Sequence, residues 1–88
     1  MIVRILGEGR YDVPEADLPA IEQLDASLAD ALERGDEAAF AGTLADLTGE
    51  VRHTGTPLAE DDLRTSELAV PHPGSTLQEV KGLLSEEG

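Results

Sequence analysis

The chain has no cysteine, no tryptophan and, in 88 residues, a single tyrosine and a single phenylalanine, Tyr11 and Phe40. Without cysteine there is neither a disulfide framework nor a thiolate metal site, so the fold must be held by its own core or by a partner. A reducing compartment suits such a chain. Positive charge is scarce as well: 6 Lys and Arg stand against 19 Asp and Glu, a formal charge of -13, and the basic residues form no cluster. Nucleic acid and anionic lipid both demand counter-charge, so this balance argues against binding either directly. Long apolar runs are missing too. The opening stretch Met1 to Leu6 is too short for a secretion signal, and nothing approaches the roughly 18 residues of a spanning helix. The expectation is a soluble, unprocessed chain without direct membrane insertion. Its length allows one domain over residues 1–88, since a chain this short buries roughly 60 to 65% of its unfolded surface in one core.

What is present is enough to fold. Leu, Ile, Val and Phe make up about a quarter of the residues, above the roughly 20% below which a highly charged chain stays disordered. Leucine and alanine dominate the apolar set, so the core is short of the large areas that aromatics bury and its stability alone is modest. Carboxylate repulsion weakens it further at low ionic strength.

Ile2 to Leu6 is apolar and β-branched, Gly7-Glu8-Gly9 supplies turn residues, and Arg10-Tyr11-Asp12-Val13 alternates before Pro14. This predicts a hairpin with Tyr11 and Val13 on one face and Arg10 and Asp12 on the other. The strand Ile2 to Leu6 reads as an edge, open to docking by strand addition, with Arg4 blunting it. From Leu18 to Arg34, residues Leu18, Ile21, Leu24, Leu28, Ala31 and Leu32 recur at helical spacing. Asp17 is the expected N-cap, Pro19 fits the first turn, Gly35 ends the helix and Asp36 caps the next. The second helix carries Phe40, Leu44, Leu47 and Val51, with Ala41 and Ala45 beside them. So short a turn forces the two helices antiparallel. Gly42 and Gly49 each weaken the second helix by up to about 1 kcal/mol relative to alanine, so packing must hold it. Beyond Pro57 come a solvated acidic helix turn at Glu60-Asp61-Asp62-Leu63, a third strand at Leu68-Ala69-Val70, and a last helix with Leu77, Val80, Leu83 and Leu84. Ser75 and Gln78 form that helix's capping box. The predicted class is α+β: a small antiparallel sheet, the N-terminal hairpin plus a third strand, packed against a helical hairpin and a short C-terminal helix.

No chemistry stands out. Gly7-Glu8-Gly9 lacks the third glycine and following helix of a dinucleotide loop, and Glu8 repels phosphate. Glu60-Asp61-Asp62, even with Glu67, does not match a calcium loop, and neither His53 nor His72 has a ligand partner at helical spacing. His53 reads instead as a partner of its helix dipole. The chain therefore reads as a non-enzyme with no catalytic, cofactor-binding or metal-binding residues. Its exposed acidity points to a basic protein partner, and Arg4, Tyr11, Glu60, Asp61 and Asp62 are the candidate partner-binding residues.

The hairpin Ile2-Val3-Arg4-Ile5-Leu6-Gly7-Glu8-Gly9 with Tyr11, the junction Gly35-Asp36-Glu37-Ala38-Ala39-Phe40, the segment Gly55-Thr56-Pro57-Leu58 and the stretch Leu63 to Pro71 occur in an order and spacing that resemble the PspAA family. These are small proteins associated with PspA in phage-shock envelope-stress systems, and the resemblance runs over nearly the whole chain. It implies a non-enzymatic accessory that binds PspA, a coiled-coil membrane-remodelling protein, on the cytoplasmic side of a stressed membrane. It carries over no catalytic residues and no cofactor. Three rivals compete: a generic acidic helical-hairpin adaptor, a nucleic-acid mimic whose carboxylates imitate phosphates, and a salt-adapted surface that says nothing of partners. Homo-oligomerisation is left open.

Overall fold

The computed structural model describes the backbone of residues 1–86 and the side chains of residues 1–82. Strands β1 (Ile2–Ile5) and β2 (Gly9–Asp12) form the expected antiparallel hairpin, with Val3 opposite Tyr11 and Arg4 opposite Arg10. The Glu8 N–H donates to the Ile5 carbonyl at 3.0 Å, closing a turn in which Gly7 has φ 84°. Only glycine adopts that angle without strain, and a Cβ there would also strike the His72 ring.

Helix α1 (Leu18–Arg34) follows a 3-10 turn at Glu15–Asp17. Asp17 makes no capping hydrogen bond, contrary to expectation. A capping side chain needs extended backbone, whereas the chain is already turning helically at Asp17, with φ -96° and ψ -7°. Gly35 ends α1 as read, with φ 68° and its N–H donating to the Ala31 and Leu32 carbonyls. Asp36 caps α2 (Glu37–Thr54), its carboxylate accepting from the Ala39 N–H at 3.1 Å. The remaining elements are β3 (Thr56–Pro57), β4 (Leu68–Val70) and α3 (Leu77–Glu86). Thr76 and Glu79, one residue beyond the predicted pair, form the cap of α3. The Glu79 N–H donates to Thr76 Oγ1 at 3.2 Å and the Thr76 N–H to Glu79 Oε1 at 3.4 Å. Within α3, Val80 is half-buried, while Leu83 and Leu84 of the expected stripe lie outside the described side chains.

The architecture is α+β, with a four-stranded sheet in the order β3-β2-β1-β4. Three of its features differ from the sequence reading. The sheet is mixed, because β4 runs parallel to β1 with Val3 beside Leu68 and Ile5 beside Val70. This register puts Leu68 and Val70 on the same face as Val3 and Ile5, so the four residues form one apolar surface beneath the helices. A two-residue strand, β3, adds to the other side, where Tyr11 pairs with Pro57. β1 is consequently an inner strand, bonded on both sides, and offers no edge to an incoming strand; Arg4 does not blunt one. Residues 58–67, read in part as a helical turn, are a loop from β3 to β4. Its one backbone turn has the Asp62 N–H donating to the Ala59 carbonyl at 3.0 Å.

Val3, Ile5, Val13 and Val70 from the sheet end meet Ile21, Leu28 and Ala31 of α1 and Phe40, Leu44, Leu47 and Val51 of α2 in one cluster. Thr48 is the one buried polar residue among those described, and its hydroxyl donates back to the Leu44 and Ala45 carbonyls. Ala41 and Ala45 are exposed. Gly42 and Gly49 are exposed as well, and a Cβ at either would meet nothing among the described residues, whose packing does not call for their small size. Leu47, fully buried between the two helices and the sheet, is a direct probe of this core. Leu47→Ala is expected to cost about 2 to 5 kcal/mol of unfolding free energy in urea titration, and a loss well below about 1 kcal/mol would contradict the packing.

Candidate functional site

Among the described residues the surface carries a charged hollow beside the sheet and an apolar one beside α2. The first begins with a conflict in the hairpin. Arg4 and Arg10 are cross-strand neighbours on the sheet face turned away from the helices, and like charges placed so repel. Arg10 resolves this by turning its guanidinium into the 58–67 loop. It donates to the carbonyls of Asp62 at 2.6 Å and Ala59 at 3.3 Å, and also to that of Arg64. Five N–H donors in a planar fork suit guanidinium to gathering several carbonyls at once. Arg64 pins the same loop, donating to both Asp62 oxygens, with Nη2 to Oδ2 at 2.9 Å, and reaching Asp12 of β2 at 3.2 Å.

The result is a hollow of about 620 Å³ bordered by Arg4, Arg10, Leu58, Glu60, Asp62 and Arg64. Of the five candidate partner-binding residues, the structure brings Arg4, Glu60 and Asp62 together here. Asp61 stands exposed on the same loop. Tyr11 is separated from them by the sheet, on whose helix-facing side it packs against the core. Within the loop the carboxylates differ: Asp62 is engaged by Arg64, while Glu60 and Asp61 form no ion pair among the described residues.

Glu8 and Arg52 form a second polar junction. The Arg52 Nε donates to Glu8 Oε1 at 2.9 Å, and a second bond joins Arg52 Nη2 to Glu8 Oε2, tying the hairpin turn to the last turn of α2. The Tyr11 hydroxyl lies 3.5 Å from the same carboxylate. Hydrogen bonding by Arg52 holds the Glu8 carboxyl below its usual range, with Tyr11 and the charge of His72 adding to the effect. The glycine turn is thus occupied by its own ion pair. Among the described residues, no three His, Asp or Glu side chains converge as a bound cation would require.

The apolar hollow, also about 620 Å³, runs between α2 and the segment leading into α3, and is lined by Phe40, Ala41, Leu44, Ala45, Pro73 and Leu77. It was not singled out from the sequence. The available signal was the run of small residues Ala38, Ala41, Gly42, Ala45 and Gly49 on the outward side of a helix in a heavily charged chain. The Arg10 anchor had no such signal, because its carbonyl partners lie about fifty positions away in sequence.

With this geometry in place, the family of PspA-Associated proteins, PspAA, matches over residues 1–88, the whole chain. The chain belongs to the PspAA family. No curated protein and no solved structure matches it. Membership agrees with the order of hairpin, helical pair and closing strand from which the resemblance arose. No helix among the described residues is long and apolar enough to cross a membrane.

The loop latch of this PspAA chain has a definite pH response. Hydrogen bonds from the Arg64 side chain and backbone lower the Asp62 pKa from 3.8 to about 2. Because the folded value lies below the unfolded one, the Asp62–Arg64 contact contributes fully above about pH 4 and is lost as pH falls through about 2. A carboxyl-detected NMR titration is expected to place the Asp62 midpoint near 2, and a midpoint at 3.8 would show the loop unlatched.

Proposed function

We propose that this PspAA protein is a non-enzymatic accessory that associates with PspA and modulates the membrane-stress response. The observation that carries the reading is the family match over the full chain, residues 1–88. The charge distribution supports it. Glu22 and Glu33 on α1 and Glu60 and Asp61 on the loop are exposed and form no ion pair among the described residues. Carboxylates left outward in this way suit the basic faces of a long helical partner and raise the rate at which such a partner is met. They do not suit an anionic bilayer, whose surface potential repels them. Contact with a stressed membrane is therefore made through PspA, on the cytoplasmic side.

Exposed charge pairs are individually weak and are screened within a Debye length of about 8 Å at physiological salt, so association of this kind is salt-sensitive. Isothermal titration of purified PspA into this protein is expected to show binding at low salt that weakens at moderate salt. Absence of both heat and co-elution at either ionic strength would end the proposal.

A further inference from the structure

The outward side of α2 is unlike that of α1. Glu22, Asp30 and Glu33 face water on α1, whereas α2 presents Ala38, Ala41, Gly42, Ala45 and Gly49 with only Asp46 among them. This strip is continuous with the apolar groove, whose floor is made by Phe40, Leu44 and Leu77, each no more than 3% exposed. Pro73 forms the facing wall. Glu37 lines the groove, Asp46 and Glu79 are exposed next to its lining residues Ala45 and Gln78, and the three make no ion pair among the described residues. The one cation lining the groove, Arg52, is already held by Glu8. An apolar trough with acidic margins complements an apolar ridge with basic margins.

We propose that the groove between α2 and the Pro73–Gln78 segment seats an amphipathic α-helix of a protein partner, its apolar ridge flanked by Lys or Arg. The proposal rests on the reading of the protein as an associate of PspA and deepens it by naming the element and chemistry that the partner presents. Between Glu37 and Arg52, α2 rises about 22 Å, enough to match about four turns of a partner helix. Ridge side chains fill the space above Phe40 and Leu44, while the small residues let the second backbone come close. Lysines on the partner's flanks reach Glu37, Asp46 and Glu79. Gly42 and Gly49, which no packing among the described residues requires, gain a purpose as points of close approach.

The test uses the intact protein, a 15-residue amphipathic peptide of Leu, Ala and Lys, and the same peptide with Ser in place of Leu. Amide shift mapping is expected to place the Leu peptide on Ala41, Ala45 and Gly49, with at least tenfold weaker binding by the Ser peptide. Ala45→Arg is expected to weaken the Leu peptide at least tenfold, and Ala29→Arg on exposed α1 to leave it unchanged. Gly49→Gln supplies a second variant that cannot fail by unfolding, since it removes a helix-weakening glycine. It is expected to raise the melting midpoint of the free protein while weakening the peptide. Shifts spread over Glu22, Asp30 and Glu33, equal binding of the two peptides, or a self-dimer abolished by Ala45→Arg would overturn the proposal, the last by assigning the face to a second copy. PspA titrated in parallel separates the two claims. If PspA fails to bind while the peptide occupies the groove, the PspA reading falls and the groove stands; if PspA binds wild type and Ala45→Arg equally, the groove assignment falls and the PspA reading stands.

Discussion

The structure depends on β1 being bonded along both sides. Its neighbours β2 and β4 come from opposite ends of the chain, so Val3 faces Tyr11 on one side and Leu68 on the other. Bringing residues so far apart in sequence together carries a loop-closure cost that grows slowly with length. Burial offsets it, because Val3, Ile5 and Val70 are fully excluded from water beneath the helical pair. The same arrangement leaves only short strands at the sheet's edges. β3 has two residues, one of them Pro57, and β4 has three and is followed by Pro71. Edges so short, with proline at or beside them, are poor templates for another strand.

Scarcity of positive charge shapes what the surface can do. Arg10 gathers loop carbonyls, Arg34 spans Asp30 and Asp36, Arg52 holds Glu8 and Arg64 joins Asp62 to Asp12. Hydrogen bonding to these carboxylates raises the pKa of Arg34, Arg52 and Arg64 in turn. Most of the few cations are thus spent on joining elements of the chain to each other. What remains outward is carboxylate on α1 and the loop, and on α2 a strip of small residues, Ala38, Ala41, Gly42, Ala45 and Gly49. The exposed surface of this chain is consequently of two kinds, one rich in carboxylate and one of small residues.

Much of the fold was legible because it is local. The spacing of Ile21, Leu28 and Ala31, the left-handed Gly35 and the capping Asp36 are each decided within a few residues of chain, and all appear in the structure. Asp17 failed as a cap because its backbone is already helical, and at α3 the cap is Thr76, one residue beyond the expected Ser75. The parallel β4, the inner position of β1 and the two-residue β3 were not legible, since pairing between distant segments leaves no periodic trace in either. Glu60, Asp61 and Asp62 were visible as an acidic cluster, but the division between a latched Asp62 and a Glu60 and Asp61 that form no ion pair among the described residues depends on Arg64 and Arg10 reaching Asp62. Tyr11 was grouped with them by sequence and parted from them by the pleat.

The inner position of β1 is the claim on which the strand order β3-β2-β1-β4 and the confinement of the sheet's edges to two short strands both rest. Native-state hydrogen exchange at two amides tests it most directly. The Leu6 N–H donates to the Val70 carbonyl at 3.0 Å, and the Glu67 N–H donates to the Ile2 carbonyl at 2.8 Å. Protection of both amides comparable to that of the Val13 N–H, which donates to the Met1 carbonyl at 2.8 Å, is the predicted result. Exchange of Leu6 and Glu67 at unprotected rates while Val13 stays protected would show β1 to be an open edge and contradict the account.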